Sequence, residues 1–423
     1  MSSLFASHQT SMIMNETIAL SRPLSVQRKA GVVQAWTLIL AMFLPIMAIV
    51  ALAPTLPTLM SHFHEVSNFQ VLVPMLLTAP ALCIAVLSPF AGRLSDLFGR
   101  RNLLLMAMIL YGFGGIAPFL VDNFWAVMTG RILLGIAEAF ILTIGNALLA
   151  DYFDEKERPK WLAVQGAVGP ILAFFTILGS GFLAAKGWQW PFIVYALAFP
   201  IFITACLYLW EPAKRHAEEK RVVDMKTFPW RMVLGICFVT LVTSIIYYVF
   251  IIHFSLVLTA NGITQESRIG IISSIASIAV PVGAYVYKQN SHRSVFYLLL
   301  LVYLLMGVGY ICLGLMHNEK LIVLASWIQQ LGVGLTVTTL VGWALNSLPI
   351  EHRGLGMGFW ATSFFLGQFF NPLVVGLINR FTGGIVPTVT TIGVICLLVA
   401  LTVWLPKVLS KRSMIEGKES SST

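Results

Sequence analysis

The chain has 423 residues, of which 58% are hydrophobic and only 11% are charged. Because soluble domains carry about 25% charged residues, this composition excludes a soluble domain and indicates an all-α integral membrane protein. The formal net charge of +9 comes from Lys and Arg in short loops between apolar stretches, the distribution that sets membrane orientation. We therefore expect the protein to sit in a lipid bilayer and to have no nucleic acid partner.

Twelve apolar stretches are each near the length of about 20 residues that a helix needs to cross a bilayer. Numbered spans 1 to 12 in chain order, they cover 35–60, 71–90, 102–121, 125–150, 161–185, 190–210, 232–259, 269–287, 294–316, 321–347, 356–378 and 385–405. A mixed-charge segment follows span 6. The predicted organisation is a tail over 1–34, a six-helix bundle over 35–210, a solvated linker over 211–231, a second six-helix bundle over 232–405 and a tail over 406–423.

The cationic residues of the loops are divided unevenly between the two sides. One side holds only Lys186, Arg268, Lys320 and Arg380, whereas the linker, both tails and the remaining loops hold all the other loop Lys and Arg. By the positive-inside rule, both termini and the linker are predicted to be cytoplasmic. We expect a multi-pass protein of the plasma membrane, specifically a bacterial inner membrane.

The cysteines and the N-terminal tail contain no further functional signal. The five cysteines all fall within apolar spans and lack metal-ligand spacing, which predicts buried thiols and neither a metal nor a cofactor. They are Cys83, Cys206, Cys237, Cys312 and Cys396. The first 30 residues have no cleavable signal pattern, and we interpret them as a mobile tail.

Span 4 is the one span with charged residues in its apolar interior, Arg131 and Glu138. Seven residues are within 20° of two helical turns, so the two side chains are predicted to share a face about 10 Å apart along the axis. Each charge costs roughly 2.5–3.5 kcal/mol at a bilayer centre, so such a pair is a functional-site hypothesis. The low dielectric favours the neutral acid and a nearby guanidinium favours the carboxylate.

The two halves resemble diverged copies of one another. When span 4 is aligned with span 10, Gly135 coincides with Gly332 and Gly145 with Gly342. In the same alignment, apolar residues replace both of the charges in span 4. Parallel six-span repeats are typical of secondary transporters, which bind substrate at the interface between their halves.

The loop between spans 2 and 3 reads GRLSDLFGRRNLLL and resembles the signature loop of the major facilitator superfamily. The matching positions are Gly92, Asp96, Gly99, Arg100 and Arg101. The resemblance covers about residues 35–405 and implies the major facilitator fold, with twelve helices in two pseudo-symmetric bundles. It also implies that this loop latches the halves together on the cytoplasmic side in the outward-open state.

A partner for the loop stands at the end of span 4, where we expect Asp151 to pair with one of the two loop arginines. The equivalent loop of the second half is degraded, since Tyr287 stands where the aspartate is expected. The resemblance therefore implies a latch on one side only.

Arg131 and Gly135 also resemble the second signature of the superfamily, an arginine followed four residues later by glycine. In proton-coupled drug exporters of the family, this arginine packs against span 1 and influences a protonatable carboxylate. Span 1 contains no acid here, so we transfer the coupling role to Glu138. The run RILLGIAEA also resembles the spinster-like and organic-anion branches of the superfamily. A static ion pair that only positions span 4 is the alternative.

Other polar and aromatic residues inside the spans are candidates for a mixed binding pocket. They are Asn146, Gln165, Tyr247, Tyr248, His253, Gln329, Gln330, Gln368 and Asn371. His253 is also a candidate second protonation site. Each of these residues alone is equally compatible with ordinary packing between helices.

The predicted function is secondary active transport of a small amphipathic molecule by alternating access, as proton-coupled multidrug efflux of the antiport type. An organic-anion or metabolite carrier, in which Arg131 binds the negative charge, is the alternative, and a non-transporting receptor on the same fold is a distant one. The chain has no GxxxxGK[ST], HExxH or GxSxG motif, which argues against an ATP-driven pump and an enzyme. We expect a monomer that uses protons as the coupling ion.

Overall fold

The computed structural model describes residues 30–212 and 226–419, with side chains described as far as residue 402. Residues 1–29 of the predicted N-terminal tail, 213–225 of the predicted linker and 420–423 of the predicted C-terminal tail therefore lie outside the described residues. Within the described ranges the regular structure consists of α-helices and short 3-10 segments.

Twelve helices in the described part of the chain are long and apolar enough to cross a membrane, as predicted. In order, spans 1 to 12 are Val32–His62, Phe69–Phe98, Arg100–Leu120, Phe124–Tyr152, Arg158–Ala184, Trp190–Tyr208, Trp230–Ala260, Glu266–Asn290, Val295–Leu315, Glu319–Ser347, Ile350–Thr382 and Ile385–Thr402. Most helices extend beyond the predicted apolar runs because polar residues near the membrane ends continue the same helix. The helix of span 12 itself continues to Glu419.

The spans form two six-helix bundles, each with its own hydrophobic core. The first core is built almost entirely from spans 1 to 6, with contributions from Tyr248, Ile252 and Phe364 of the second half. The second half has a large core that includes Ile246 and Ala400, and a smaller one around Phe228. The fold is thus the predicted all-α, two-bundle architecture.

Span 1 is not a continuous α-helix. Its first helix ends at Val50, a 3-10 segment covers Ala53–Thr55, and a short helix follows. Pro54 has no N–H to donate, and the Leu52 N–H turns to the carbonyl of Ile49 at 3.3 Å. The carbonyl of Ala48, which an unbroken helix would pair with the Leu52 N–H, is therefore available to another donor.

The two ends of the bundles differ in how closely the halves approach each other. We call the end that carries Asp96, Asp151 and Glu211 the linker end, and the opposite end the far end. At the far end the hydroxyl of Ser255 donates to the carbonyl of Ala53 at 2.7 Å, and the hydroxyl of Thr58 donates to Glu266 at 3.1 Å. These hydrogen bonds join the two halves.

Spans 5 and 8 pack tightly at the far end because two glycines face each other. A side-chain carbon built on Gly181 would lie 2.6 Å from the Cα of Gly270. Nearer the linker end of span 5, Gly166 and Gly169 line the cavity between the halves. The halves are therefore in direct contact at the far end.

Candidate functional site

A cavity of about 560 Å³ lies between the two halves. It is lined by spans 1, 2, 4 and 5 of the first half and by spans 7, 8, 10 and 11 of the second. Most of the lining is apolar or aromatic. Its volume falls within the range of about 300–1,000 Å³ that is typical of small-molecule sites.

Arg131, in span 4, is completely buried and hydrogen-bonded to other helices of the first half. Its Nε donates to the carbonyl of Leu76 at 2.7 Å, its Nη1 to the hydroxyl of Tyr195 at 2.9 Å and its Nη2 to the carbonyl of Ala48 at 3.1 Å. Spans 1, 2, 4 and 6 are thereby joined through one guanidinium. The Ala48 carbonyl is the one made available by the break in span 1.

Glu138 lies about two helical turns after Arg131 in span 4, on the wall of the cavity. The residue is only 2% exposed, and its Oε1 is shielded from solvent and has no hydrogen-bond partner among the described residues. Buried polar groups in folded proteins are nearly always paired, so an unpaired carboxylate oxygen on a cavity wall indicates a group that serves a ligand, a proton or water.

The two charged residues of span 4 do not form an ion pair. No salt bridge within 4.0 Å joins Arg131 to Glu138 in the described structure, because the guanidinium is bonded to spans 1, 2 and 6. The static ion pair that we considered as an alternative is therefore not present in this conformation. The shared helical face places both residues at the cavity, where Arg131 is hydrogen-bonded and the Oε1 of Glu138 has no partner among the described residues.

Five of the nine predicted pocket residues line the cavity. They are Gln165, Tyr247, Tyr248, Gln330 and Gln368. Gln165 comes from span 5, whereas the other four come from spans 7, 10 and 11 of the second half. The cavity therefore combines an acidic wall from the first half with an amide and phenol wall from the second.

The other four predicted pocket residues lie outside this lining. His253 and Asn371 bond to each other between spans 7 and 11, and Asn371 also donates to the carbonyl of Ile245 at 2.7 Å. Asn146 donates to the carbonyl of Leu142 one turn earlier, and Gln329 packs tightly against Gly309. The structure does not bring these four side chains to the cavity.

Two important side chains are not among the predicted site residues. Tyr195, in span 6, accepts from Arg131 and donates to Ala48 at 2.8 Å. Phe364 forms the aromatic wall together with the two adjacent tyrosines, at ring centroid distances of 5.6 Å from each. Both are aromatic residues within apolar runs, where sequence alone does not distinguish them from ordinary core residues.

The predicted latch residues are engaged within the first half. Arg100 pairs with Asp151 and with Asp96, the latter at 3.1 Å. Arg101 donates to the carbonyls of Cys206 and Leu209, both at 2.8 Å. Gly92, in span 2, lies against Thr143 of span 4.

Glu211, the first residue of the predicted linker, caps the start of span 3. Its two carboxylate oxygens accept from the backbone N–H groups of Arg100 and Arg101 at 2.7 and 2.9 Å. A carboxylate is favoured at these positions because the first N–H groups of a helix have no partner within it. Gly99 allows the approach, since its φ is +93° and a side-chain carbon there would lie 3.1 Å from Glu211.

The comparisons with known proteins identify the family. The family model for the Major Facilitator Superfamily matches residues 38–349 and again 237–421. The efflux pump dotC of Dothistroma septosporum is 29% identical over 156 residues, which are 37% of this chain and 26% of the pump. The chain thus spans about a quarter of the length of the fungal curated relatives that it matches. Multidrug resistance protein 2 of Bacillus subtilis is 24% identical over 362 residues, which are 79% of this chain and 86% of that protein.

Solved structures agree on the fold. The nucleoside transporter NupG has a TM-score of 0.72 at 12% identity, with 88% of this chain and 99% of that chain covered. A bacterial homologue of the human lysosomal transporter Spinster, in an inward-facing and occupied conformation, has a TM-score of 0.71 at 15% identity, with 88% and 95% covered. With the twelve spans, the two bundles and the match over most of its length, the chain belongs to the Major Facilitator Superfamily and is a multi-pass membrane protein.

Proposed function

We propose that this transporter exports small amphipathic molecules in exchange for protons. The observation that carries the proposal is the Glu138 carboxylate, which is 2% exposed, lies on the cavity wall and has an oxygen without a described partner. In a cavity that opens to one side at a time, such a group exchanges its proton only with the water on that side. Proton transfer and substrate release are thereby linked to the same change of conformation.

The asymmetry of the two ends supports alternating access. The halves contact each other at the far end through Ser255 and Thr58, and the cavity between them extends along span 5 from Ile177 to Leu162, towards the linker end. We propose that the linker end is cytoplasmic, as the positive-inside rule predicts, so that this conformation would load substrate from inside the cell. Opening the far end and closing the linker end would expose Glu138 to the outside. A proton that then binds is driven inward by about 2.3 kcal/mol per 100 mV of membrane potential.

The names of the relatives support export. The curated matches include an efflux pump and two multidrug resistance proteins, one of which aligns with most of this chain. A broad, largely apolar cavity suits substrates that share an amphipathic shape and differ in chemistry, because apolar contacts are not directional. We propose a monomer in a bacterial inner membrane, with both termini in the cytoplasm.

A carrier for organic anions is less well supported by the site. It would require Arg131 to offer hydrogen-bond donors to the substrate's negative charge. All three nitrogens of this guanidinium already donate to protein groups, and the residue is 0% exposed. An anion could therefore pair with Arg131 only if the surrounding groups moved, whereas Glu138 has a carboxylate oxygen without a partner among the described residues.

The test is proton-driven transport in proteoliposomes, comparing the wild-type protein with Glu138→Gln. A panel of neutral, cationic and anionic probes, such as chloramphenicol, ethidium and fluorescein, would be screened under an imposed pH gradient. For a wild-type substrate we expect the Gln variant to lose the response to the gradient while it still exchanges labelled substrate at equal concentrations on both sides. Unchanged gradient-driven transport by the variant would refute proton coupling through Glu138.

A further inference from the structure

Tyr310, in span 9, joins two backbone groups of span 7. The N–H of Phe250 donates to the tyrosine hydroxyl at 3.1 Å, and the hydroxyl donates to the carbonyl of Ile246 at 2.7 Å. In an uninterrupted helix these two backbone groups pair directly, because each N–H bonds to the carbonyl four residues earlier. A side chain that enters this ladder of hydrogen bonds is a recognised cause of a bend in a helix. Span 7 contains no proline that could have the same effect.

The bridged pair lies in the part of span 7 that lines the cavity. Phe250 is a lining residue, and the lining of this helix runs from Tyr247 to Ser255, whereas Tyr310 lies outside it. Ser255 donates to the carbonyl of Ala53 in span 1, which is one of the contacts that join the halves at the far end. A bend at Phe250 would therefore move this closing contact relative to the rest of the second half.

A second partner for the hydroxyl lies beside it. Gln329 of span 10 packs against Gly309, the residue before Tyr310, and its side chain faces the tyrosine. Gln329 is 0% exposed, and both its amide nitrogen and its amide oxygen lack a hydrogen-bond partner among the described residues. Buried polar groups are nearly always paired, so we expect this amide to have a partner in another conformation of the protein.

We propose that the Tyr310 hydroxyl is a switch with two partners, the backbone of span 7 and the amide of Gln329. In this conformation the hydroxyl bridges Ile246 and Phe250, span 7 bends there and the far end is closed. When the hydroxyl turns to Gln329, the two backbone groups pair directly, span 7 straightens and Ser255 leaves span 1. In both arrangements the hydroxyl and the two backbone groups are hydrogen-bonded, which keeps the arrangements close in free energy.

Distances between pairs of spin labels test this switch in the full-length protein in lipid nanodiscs, with the five native cysteines replaced by alanine. The first pair, Glu65 and Ala260, consists of exposed positions at the far end, one in each half. The second pair, Ala260 and Leu398, lies within the second half, and Leu398 is exposed on span 12. The first pair reports opening of the far end, and the second reports movement of the end of span 7 within its own bundle.

Two variants should shift the populations in opposite directions. Tyr310→Phe keeps the ring but removes the bridge, so the ratio of long to short distances in the first pair should rise by about 2- to 10-fold, the effect of one hydrogen bond. Gln329→Leu removes the second partner and should lower this ratio by about the same factor.

Tyr303→Phe is the matched control. Tyr303 lies about two turns earlier on the same face of span 9 and is 2% exposed, against 1% for Tyr310. Its hydroxyl bonds to the side chain of Thr243 at 2.6 Å and not to the backbone of span 7. Removal of this hydroxyl should therefore leave both distance distributions unchanged.

The second pair separates the switch from a rotation of two rigid halves. Such a rotation changes the distance from Glu65 to Ala260 and leaves that from Ala260 to Leu398 unchanged, whereas the switch changes both. A shift confined to the first pair, a shift of the same sign in Tyr310→Phe and Gln329→Leu, or equal shifts in the two tyrosine variants would overturn the proposal. These distances are measured without a substrate or a pH gradient, so they do not depend on the proposed exchange of protons.

Discussion

At the scale of single residues, the two charged residues of span 4 have different roles. Arg131 bonds to three other helices, whereas Glu138 has a carboxylate oxygen without a partner among the described residues. Seven residues separate them, so both face the same side of the helix, as the sequence predicted. One of the acceptors of Arg131 is available because span 1 is broken near Pro54, which leaves the carbonyl of Ala48 free to accept from the guanidinium. A buried charge is tolerated when it is hydrogen-bonded, and here two carbonyls and a phenol accept one hydrogen bond from each of the three nitrogens.

The two buried tyrosines beside Arg131 allow a matched prediction. Tyr195 accepts from Arg131 and donates to Ala48, whereas Tyr111 donates only to the carbonyl of Leu44 at 2.6 Å. Tyr195→Phe leaves a buried charged donor unpaired and should lower the free energy of unfolding by about 1–3 kcal/mol. Tyr111→Phe should cost about 1 kcal/mol or less.

The measurement is reversible unfolding of each purified variant in mixed micelles, with the two tyrosine variants compared side by side. The rings pack edge to face at 5.8 Å and are equally buried, so the loss of a hydroxyl is the same chemical change in both. Equal losses of stability in the two variants would contradict the role of Tyr195 as the acceptor for Arg131.

At the scale of secondary structure, the linker end of span 3 is held by residues that are distant in the sequence. Glu211 lies 111 residues after Arg100 and accepts from its N–H, while the Arg101 side chain bonds to the end of span 6. The loop between spans 2 and 3 is thereby tied to the first residue of the linker. A movement of the linker would be transmitted to the loop that the resemblance assigns to gating.

We predict that Glu211→Ala loosens the start of span 3. Both capping hydrogen bonds are lost together with a favourable charge at the helix N-terminus, which is worth about 1–2 kcal/mol locally. Amide hydrogen exchange at Arg100 and the next residues should become roughly 5- to 30-fold faster.

Glu155→Ala provides the control for this prediction, because Glu155 is an exposed acid of the loop between spans 4 and 5. It removes the same charge without removing a described cap. Unchanged exchange at the start of span 3 in Glu211→Ala would show that the cap does not contribute. Glu211→Gln, which retains one acceptor oxygen, should give an intermediate rate.

At the scale of the whole molecule, closure of the far end depends on contact between two backbones. A side-chain carbon on Gly181 would lie 2.6 Å from the Cα of Gly270, a distance at which the helices must move apart. Interiors are close-packed and deform little, so one methyl group at such a point shifts the balance between open and closed arrangements.

We predict that Gly181→Ala shifts the protein towards conformations that are open at the far end. Spin labels on spans 1 and 7 at that end would report the distance between the halves, and the longer distances should gain population. Gly179→Ala is the matched control, because a side-chain carbon at Gly179 meets no described atom within 4 Å. Identical distance distributions for the two variants would contradict the prediction.

The sequence by itself determined the number of spans, their approximate limits and the division into two bundles. These properties depend on runs of apolar residues, which are local and do not require knowledge of neighbours. The family followed from the Gly92–Arg101 loop, and the family model confirmed it over most of the chain. The polar contacts of Arg131 could not be predicted, since they depend on a break in span 1 and on a phenol 64 residues away.

Only the tertiary structure decided which polar residues share the cavity. Gln330 lines it and the adjacent Gln329 does not, because consecutive helical residues point about 100° apart and the sequence does not specify how span 10 is rotated. That rotation is set by packing against the other helices of the bundle. For the same reason the sequence identified Glu138 as a rare charge in the membrane. That its Oε1 has no partner among the described residues, and that aromatic rings line the same cavity, became evident only in the folded protein.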